Sequence, residues 1–512
     1  MITVKEYRGH IRNHVQLCDI LGIESNLGRE EREARILTAA YEKWGCDMAH
    51  HLHGMYAFAL YDDKADELIC IRDRFGTKPF YYYITKDSKI LYGTMIRTIM
   101  EQEGFEKELD VDMLQIYMSL TYPAGERTFF KGVKKLMPGC CLVWKNGEYK
   151  INRYWKPEFK PDNSRTLEQW ADEIHSTVEL MMQEVKTDEE TAESFLSGGV
   201  DSSYVLAMSD VKVANSCGYD EERFDESVLA KQTAELLGRE CRKCNITPQA
   251  YFDIVPYVMY NMELPLGDAS AIAFALGCIE TAKSTKLCYS GEGADEFFGG
   301  YNMYRNAERY GDNLPTFYVG NTNIMKEDEK QRILKSYNPD VLPINLAKQI
   351  YEETQGLDPL SKMSAVDIQI WLEGDIYLNV DKMSEAAGLE IRMPLTDLRV
   401  FDIASRMPSK FKVDQEQNKV AFRTAASKVI PDEIAFRKKL GFVVPIRIWL
   451  ADDRYNSDVK AKFSSDMAAK FFNLDEINAI FDDYINGNSD NWRKVWTIYT
   501  FLVWYEEYFV KR

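Results

Sequence analysis

The sequence predicts two domains in succession: an α+β layer structure over residues 1–155, then a doubly wound α/β domain with mostly helical sequence behind it over 156–512. Three observations carry that expectation. A chain of 512 residues exceeds what one hydrophobic core usually serves. Its front part alternates β-rich runs with polar turns. From about residue 160, long amphipathic helices enclose short apolar strands, and two of those strands run straight into glycine-rich turns.

Taken in order, Tyr7, Ile11, Val15 and Cys18 fall at helical spacing, so the chain is expected to open on a helix with one apolar stripe. A second helix is expected from Glu30 to Trp44, with Ile36, Leu37, Ala40 and Tyr41 as its buried face. Four strands follow, at Met55 to Asp63, Glu67 to Asp73, Phe80 to Thr85 and Lys89 to Thr94. Pro161 to Ser164 reads as a linker and helix start. ESFLSGG and KLCYSGE read as strand ends. There is no internal repeat and no low-complexity segment.

Hydrophobic residues at 45% and charged residues at 28% describe an ordinary folded, water-soluble chain. The formal net charge of −18 repels a polyphosphate backbone, which argues against nucleic acid as a general partner. Any phosphate site must then be built locally, from backbone N–H groups, a few cationic side chains and metal ions. Ten cysteines are scattered, the opening residues carry charges where a secretory signal needs an apolar core, and no apolar run approaches a membrane span. A cytoplasmic protein without a membrane partner is expected. Cys241 and Cys244 form a CxxC that lacks a second ligand pair at zinc spacing, so they read as incidental thiols.

The strongest local signal is Phe195-Leu196-Ser197-Gly198-Gly199-Val200-Asp201-Ser202-Ser203, a strand running into a Gly-Gly turn and a helix. Glycines let backbone N–H groups approach a phosphate, Ser197, Ser202 and Ser203 add hydroxyl donors, and the helix aims its positive end at the anion. Asp201 inside such a turn is repelled by phosphates unless a cation intervenes, and magnesium is the obvious bridge. A serine-rich turn without function does not account for so specific a run. A second cluster, Ser290-Gly291-Glu292-Gly293-Ala294-Asp295-Glu296, runs into Phe297-Phe298-Gly299-Gly300-Tyr301 and again follows an apolar strand. Three carboxylates in five residues are costly unless metal or hydrogen-bond donors engage them.

These two loops resemble the synthetase domain of asparagine synthetases, whose adenylating loop is the pyrophosphate-binding kind. Further matches follow in family order: Asp381 to Ser384 with Gly388 to Asp397, then Lys419 to Arg423, then Arg437-Lys438-Lys439-Leu440-Gly441-Phe442. Gly54 to Ala59 and Arg72 to Gly76 are similar to the family's amidotransferase domain, so the resemblance spans nearly the whole chain. It implies a truncated N-terminal nucleophile-type amidotransferase β-sandwich over 1–155 and a pyrophosphate-loop ATPase α/β synthetase domain over 156–512. No Walker A pattern points to a kinase or motor ATPase.

By resemblance, Asp201 and Asp295 hold magnesium on the ATP phosphates, and Leu196, Cys217, Ser290 and Gly291 line the nucleotide pocket with Ser197 to Ser203. Glu292 stands beside the adenylated intermediate and can take a proton from the attacking amine. Lys439 neutralises charge building up in the transition state. Read from charge patterning alone, Arg437, Lys438 and Lys439 could instead be an exposed basic turn. Lys419 and Arg423, four apart on an expected helix, could reach phosphate or lie on a solvated face. Glu263 to Ser270 matches a family loop near the carboxylate substrate, although Pro and Gly beside an Asp also describe an ordinary turn.

In the family, an N-terminal cysteine hydrolyses glutamine. This sequence starts Met1-Ile2-Thr3, and its first cysteine, Cys18, sits on the apolar stripe and reads as core. The Asn-Gly oxyanion segment and the early arginine of relatives precede the point where this chain begins to match. The glutamine-recognising aspartate falls at Glu33. Either the protein uses free ammonia and keeps the front domain as a remnant, or the natural start lies upstream of Met1, with opening strands whose loss leaves a sheet edge unpaired.

The expected function is conversion of aspartate to asparagine through a β-aspartyl-adenylate, with ATP and Mg2+ as cofactors, AMP and pyrophosphate as products, and ammonia or glutamine as nitrogen donor. A homodimer is compatible with these expectations. The alternative is a related ligase acting on another carboxylic acid. A tRNA-thiolating ATPase would need a basic face and paired reactive cysteines, and a non-catalytic scaffold would have lost Asp201, Glu292 or Asp295.

Overall fold

The computed structural model describes residues 1–512 apart from 25, 186–190 and 439–440. The chain divides into two compact units, the first made of 1–110, 125–158 and 397–401, the second of 111–124, 159–396 and 402–512. Their fold classes are those expected, a layered α+β unit and a parallel α/β unit.

The first unit opens on a strand, β1 (Ile2–Ile11), rather than on the helix that Tyr7, Ile11, Val15 and Cys18 suggest. A β-bulge explains the misreading. β1 pairs antiparallel with β2 (Gly54–Asp62), and the register slips between Val4 and Glu6. Ile2, Val4, Tyr7 and Ile11 all reach one core. The slip stretches one two-residue step to three, and Gly9 leaves a gap of four, so a bulged strand mimics helical spacing. Only the end of the stripe is helical, at His14–Leu21, where Leu17 and Cys18 are buried and Val15 is exposed.

The helix Arg29–Trp44 buries Ile36, Leu37 and Ala40, with Tyr41 partly buried against the same cluster. Full burial of Ile36 and Leu37 contributes about 1.5–3 kcal/mol each. The four expected strands are β2, β3 (Glu67–Arg72), β4 (Tyr81–Ile84) and β5 (Ile90–Gly93). With β6 (Lys134–Lys135), β7 (Cys140–Lys145) and β8 (Glu148–Arg153) they make two antiparallel sheets, ordered β1-β2-β3-β7-β8 and β5-β4-β6. Alternation along β2 divides the core: Tyr56, Phe58 and Leu60 face the helix Arg29–Trp44, while Ala57 and Ala59 pack with Phe80 and Tyr82 of the second sheet's side.

The second unit is organised by five parallel strands, β9 (Glu193–Phe195), β10 (Val213–Gly218), β11 (Glu240–Asn245), β12 (Leu287–Tyr289) and β13 (Glu390–Arg392). Their order is β11-β10-β9-β12-β13. The chain winds outward from β9 in one direction and then returns to the other side at β12. Ligands of such sheets bind outside the carboxyl ends of the strands at this reversal, which here means the turns after β9 and β12. The helix after Pro161–Ser164 begins at Leu167, where Thr166 and Gln169 cap each other. Among the described residues no helix is long and apolar enough to cross a membrane.

Candidate active site

A cavity of about 460 Å³ opens at the carboxyl ends of β9, β10 and β12. Leu196, Ser197, Gly198, Gly199, Asp201 and Ser202 form one wall, Cys217 belongs to a second, and Ser290, Gly291, Glu292 and Asp295 form a third. Segments almost a hundred residues apart thus converge. Ser203 does not join them, because its hydroxyl turns back along the helix and donates to the Gly199 carbonyl at 2.6 Å. The loop is braced by its other serines: Ser202 Oγ accepts the Ser197 N–H at 3.1 Å, and Ser197 Oγ accepts the Gly199 N–H at 3.3 Å. Gly198, at φ +78, takes a backbone conformation that side chains resist. The helix Val200–Met208 then starts at the cavity rim.

Asp201 and Asp295 meet around the Lys419 ammonium. The ammonium of Lys419 lies 2.6 Å from both carboxylate oxygens of Asp201 and 2.7 Å from Asp295 Oδ1. This settles the open reading of Lys419: its side chain is 2% exposed, so it is no solvated-face residue. Lys419 also has φ +60, a conformation that costs a non-glycine residue about 1–3 kcal/mol and persists where its surroundings enforce it. Two glycines permit the convergence. A Cβ on Gly300 would fall 1.7 Å from Asp295 Oδ1 and 2.3 Å from Lys419 Cε, and one on Gly291 would fall 2.9 Å from the Asp201 carbonyl carbon.

The donor set suits magnesium, which takes one or two carboxylates and completes its sphere with phosphate oxygens and water. Among the described residues no three His, Cys, Asp or Glu side chains are grouped to hold a metal without such help. Glu292 is partly buried; its carbonyl accepts from Thr396 Oγ1 at 3.0 Å and its carboxylate accepts from Ser290 Oγ at 3.3 Å. Thr396 belongs to the Gly388 to Asp397 motif, so that motif steadies the acidic loop.

Burial, with the neighbouring Asp295 second, raises the pKa of Glu296 to about 8, while the Tyr301 hydroxyl hydrogen-bonded to it works the other way. Arg423 is no solvated residue: it is buried and lines the same cavity. Its guanidinium donates to the carbonyls of Asn418, Ala435 and Arg437. Arg437 in turn donates to the Gly198 carbonyl at 2.9 Å, which ties this basic segment to the Gly198–Gly199 turn. Lys438 and Gly441 are on the cavity wall, whereas Lys439 lies outside the described residues.

The Glu263 to Ser270 loop divides its labour. Glu263 is fully buried against the Lys382 ammonium, while Asp268 and Ser270 line the cavity. Burial raises the Asp268 pKa, outweighing its bonds from Ser270. Sequence reasoning missed Trp371 and Ile376, which reach the cavity from a π-helical segment, Asp367–Tyr377. Such segments are rare and frequently sit at functional sites, but no spacing rule announces one.

In the first unit, Glu33 is 2% exposed and its carboxylate is engaged by the fold itself. It accepts the Ile11 N–H at 2.9 Å and pairs with His10 Nδ1 at 3.3 Å and Arg29 Nε at 3.4 Å.

Residues 176–506 match the asparagine synthase family, and residues 3–155 match a glutamine amidotransferase domain. The asparagine synthetase [glutamine-hydrolyzing] 1 of Bacillus subtilis is 30% identical over 99% of this chain and 86% of its own length. A putative asparagine synthetase of Mycobacterium bovis is 28% identical over 98% of this chain and 83% of its own. An amidase of Gibberella zeae is 30% identical over 53% of this chain and 44% of its own length. Matched over well more than half of its length, and carrying both glycine-rich loops of the synthetase half around one cavity, this chain belongs to the asparagine synthase family.

Proposed function

We propose that this protein converts aspartate to asparagine, using ATP to form a β-aspartyl-adenylate that ammonia then cleaves. One observation carries the reading: Asp201 and Asp295, each in the first turn of its own helix, share the Lys419 ammonium beside the Gly198–Gly199 turn. The triphosphate lies against the backbone of residues 197–202 with Lys419 as a fixed countercharge, and Leu196, Cys217, Ser290 and Gly291 enclose the nucleotide. Asp201 and Asp295 would hold magnesium, which supplies charge neutralisation of the departing pyrophosphate. A carboxylate oxygen of aspartate bonds to the α-phosphorus as the bond to pyrophosphate breaks. Ammonia then bonds to the acyl carbon, AMP leaves, and Glu292 takes the proton released by the amine. Lys439 offsets the negative charge that develops on the acyl oxygen and phosphate. Holding both reactants in one cavity removes much of the entropic barrier.

Residues 1–155 are read as the amidotransferase-type domain, with Glu33 in the place of the glutamine-recognising acid, and 156–512 as the synthetase domain. The same reading makes the protein cytoplasmic, acting on small molecules rather than on nucleic acid or membrane, as a monomer or homodimer. The test is to incubate purified protein with ATP, magnesium and aspartate, giving ammonium or glutamine as donor, and to measure asparagine, AMP and pyrophosphate. Equal amounts of all three with ammonium support the reading; ADP and phosphate as products reject it. Asparagine from ammonium but not from glutamine assigns free ammonia as the donor.

A further inference from the structure

Cys241 and Cys244 are three residues apart on β11, and residues at that spacing on a strand point to opposite faces. The CxxC is therefore not the relevant pair. β10 and β11 run parallel with Cys217 and Cys244 in direct register, which puts both side chains on one face. Their thiols are within hydrogen-bonding contact.

Both sulfurs belong to partly exposed residues and line a second cavity, of about 160 Å³, beside Arg242, Lys243 and Lys283. Cys217 also lines the nucleotide cavity, so it stands in a shared wall. On its other side the helix Ser270–Thr281 presses so close that a Cβ on Gly277 would lie 2.7 Å from Cys217 Sγ. Cys278, on the same helix, is fully buried. The contact with Cys217 lowers the pKa of Cys244, while the same contact, followed by burial, raises that of Cys217. An acidified thiol reachable from solvent beside a neutral one is the arrangement of an attacking and a resolving cysteine.

We propose that Cys217 and Cys244 are a dithiol pair oxidised by hydrogen peroxide, and that their disulfide remodels the shared wall and weakens nucleotide binding. The Cys244 sulfur bonds to one peroxide oxygen, the O–O bond breaks, and water leaves after protonation, giving a sulfenic acid. The Cys217 sulfur then bonds to the Cys244 sulfur, the S–OH bond breaks, and a second water leaves with the Cys217 proton. Two electrons pass from the pair to peroxide, and a dithiol reductant reverses the change. The disulfide itself stands apart from the function proposed above; only its effect on nucleotide binding rests on that reading.

The full chain is treated with graded peroxide, quenched by alkylation and mapped by peptide mass spectrometry. The proposal expects one cross-linked pair joining the Cys217 and Cys244 peptides, reversed by dithiothreitol. It also expects ATP–pyrophosphate exchange to fall about tenfold as the cross-link forms. Cys244→Ser is expected to keep the untreated rate and resist peroxide, and Cys241→Ser to respond as the unaltered protein does. A cross-link through Cys241 or Cys278, or oxidation that stops at sulfinic acids, overturns the pair. Exchange unchanged by a complete cross-link overturns its effect on nucleotide binding. Absence of exchange in the reduced protein counts against the ligase reading, and the peptide map still decides the pair.

Discussion

Replacing Lys419 with Met removes the ammonium that bridges Asp201 and Asp295 and sets their two carboxylates against each other without it. Breaking a fully buried ion pair costs about 3–5 kcal/mol. Here the lysine is 2% exposed but the aspartates are 21% and 20% exposed, so water screens part of the repulsion. A loss of about 2–3 kcal/mol is the appropriate range. At about 2 °C per kcal/mol, the lower end for domains of this size, the melting temperature should drop by about 4–6 °C. The vacated site is then a better magnesium site than in the unaltered protein. Magnesium at ten times its dissociation constant should restore about 1.4 kcal/mol, or about 3 °C. Thermal melts of both proteins, with magnesium and with a chelator, measure these differences. Equal melting temperatures, or a magnesium effect no larger in Lys419→Met, would refute the shared-cation account.

Other expectations follow from the same geometry. Gly300→Ala drives a methyl into Asp295 and Lys419, and should lower ATP–pyrophosphate exchange by about 30-fold or more, equivalent to about 2 kcal/mol; a melt shows whether the unit stays folded. Glu292→Gln should abolish asparagine formation while ATP still binds, measured by product analysis and nucleotide titration.

In the first unit, burial alone would raise the Asp397 pKa, but Arg12 and Arg399 outweigh it and hold the carboxyl down at about 2. Because the folded value lies below the ordinary 3.8, this group's stabilisation is present above pH 4 and is lost as pH falls toward 2. It amounts to about 2 kcal/mol. Acid unfolding of Arg12→Met should show a correspondingly shallower dependence over that window than the unaltered protein.

What the sequence disclosed depended on whether a local pattern had a local cause. The turn after β9 and the Glu292 loop were legible because tight strand-to-helix turns demand glycine and phosphate chemistry demands donors and acids nearby. The opening strand was not, since a bulge at Val4–Glu6 and a side-chain gap at Gly9 turned a two-residue period into a helical one. Lys419 and Arg423 share a helix and a charge, yet one meets two carboxylates and the other three carbonyls. Only tertiary contacts make that distinction. Trp371 reached the cavity through a π-helical segment that periodicity does not signal. Cys244 was visible in its CxxC, but its partner came from a neighbouring strand.

The central claim is that the acidic loops and the phosphate turn activate aspartate before any nitrogen donor is involved. ATP–pyrophosphate exchange, with magnesium and aspartate present and ammonium and glutamine absent, tests it most directly. Label should pass from pyrophosphate into ATP only when aspartate is added, and should cease in Asp201→Asn and Asp295→Asn. Exchange that ignores aspartate, or that survives loss of both carboxylates, would contradict it.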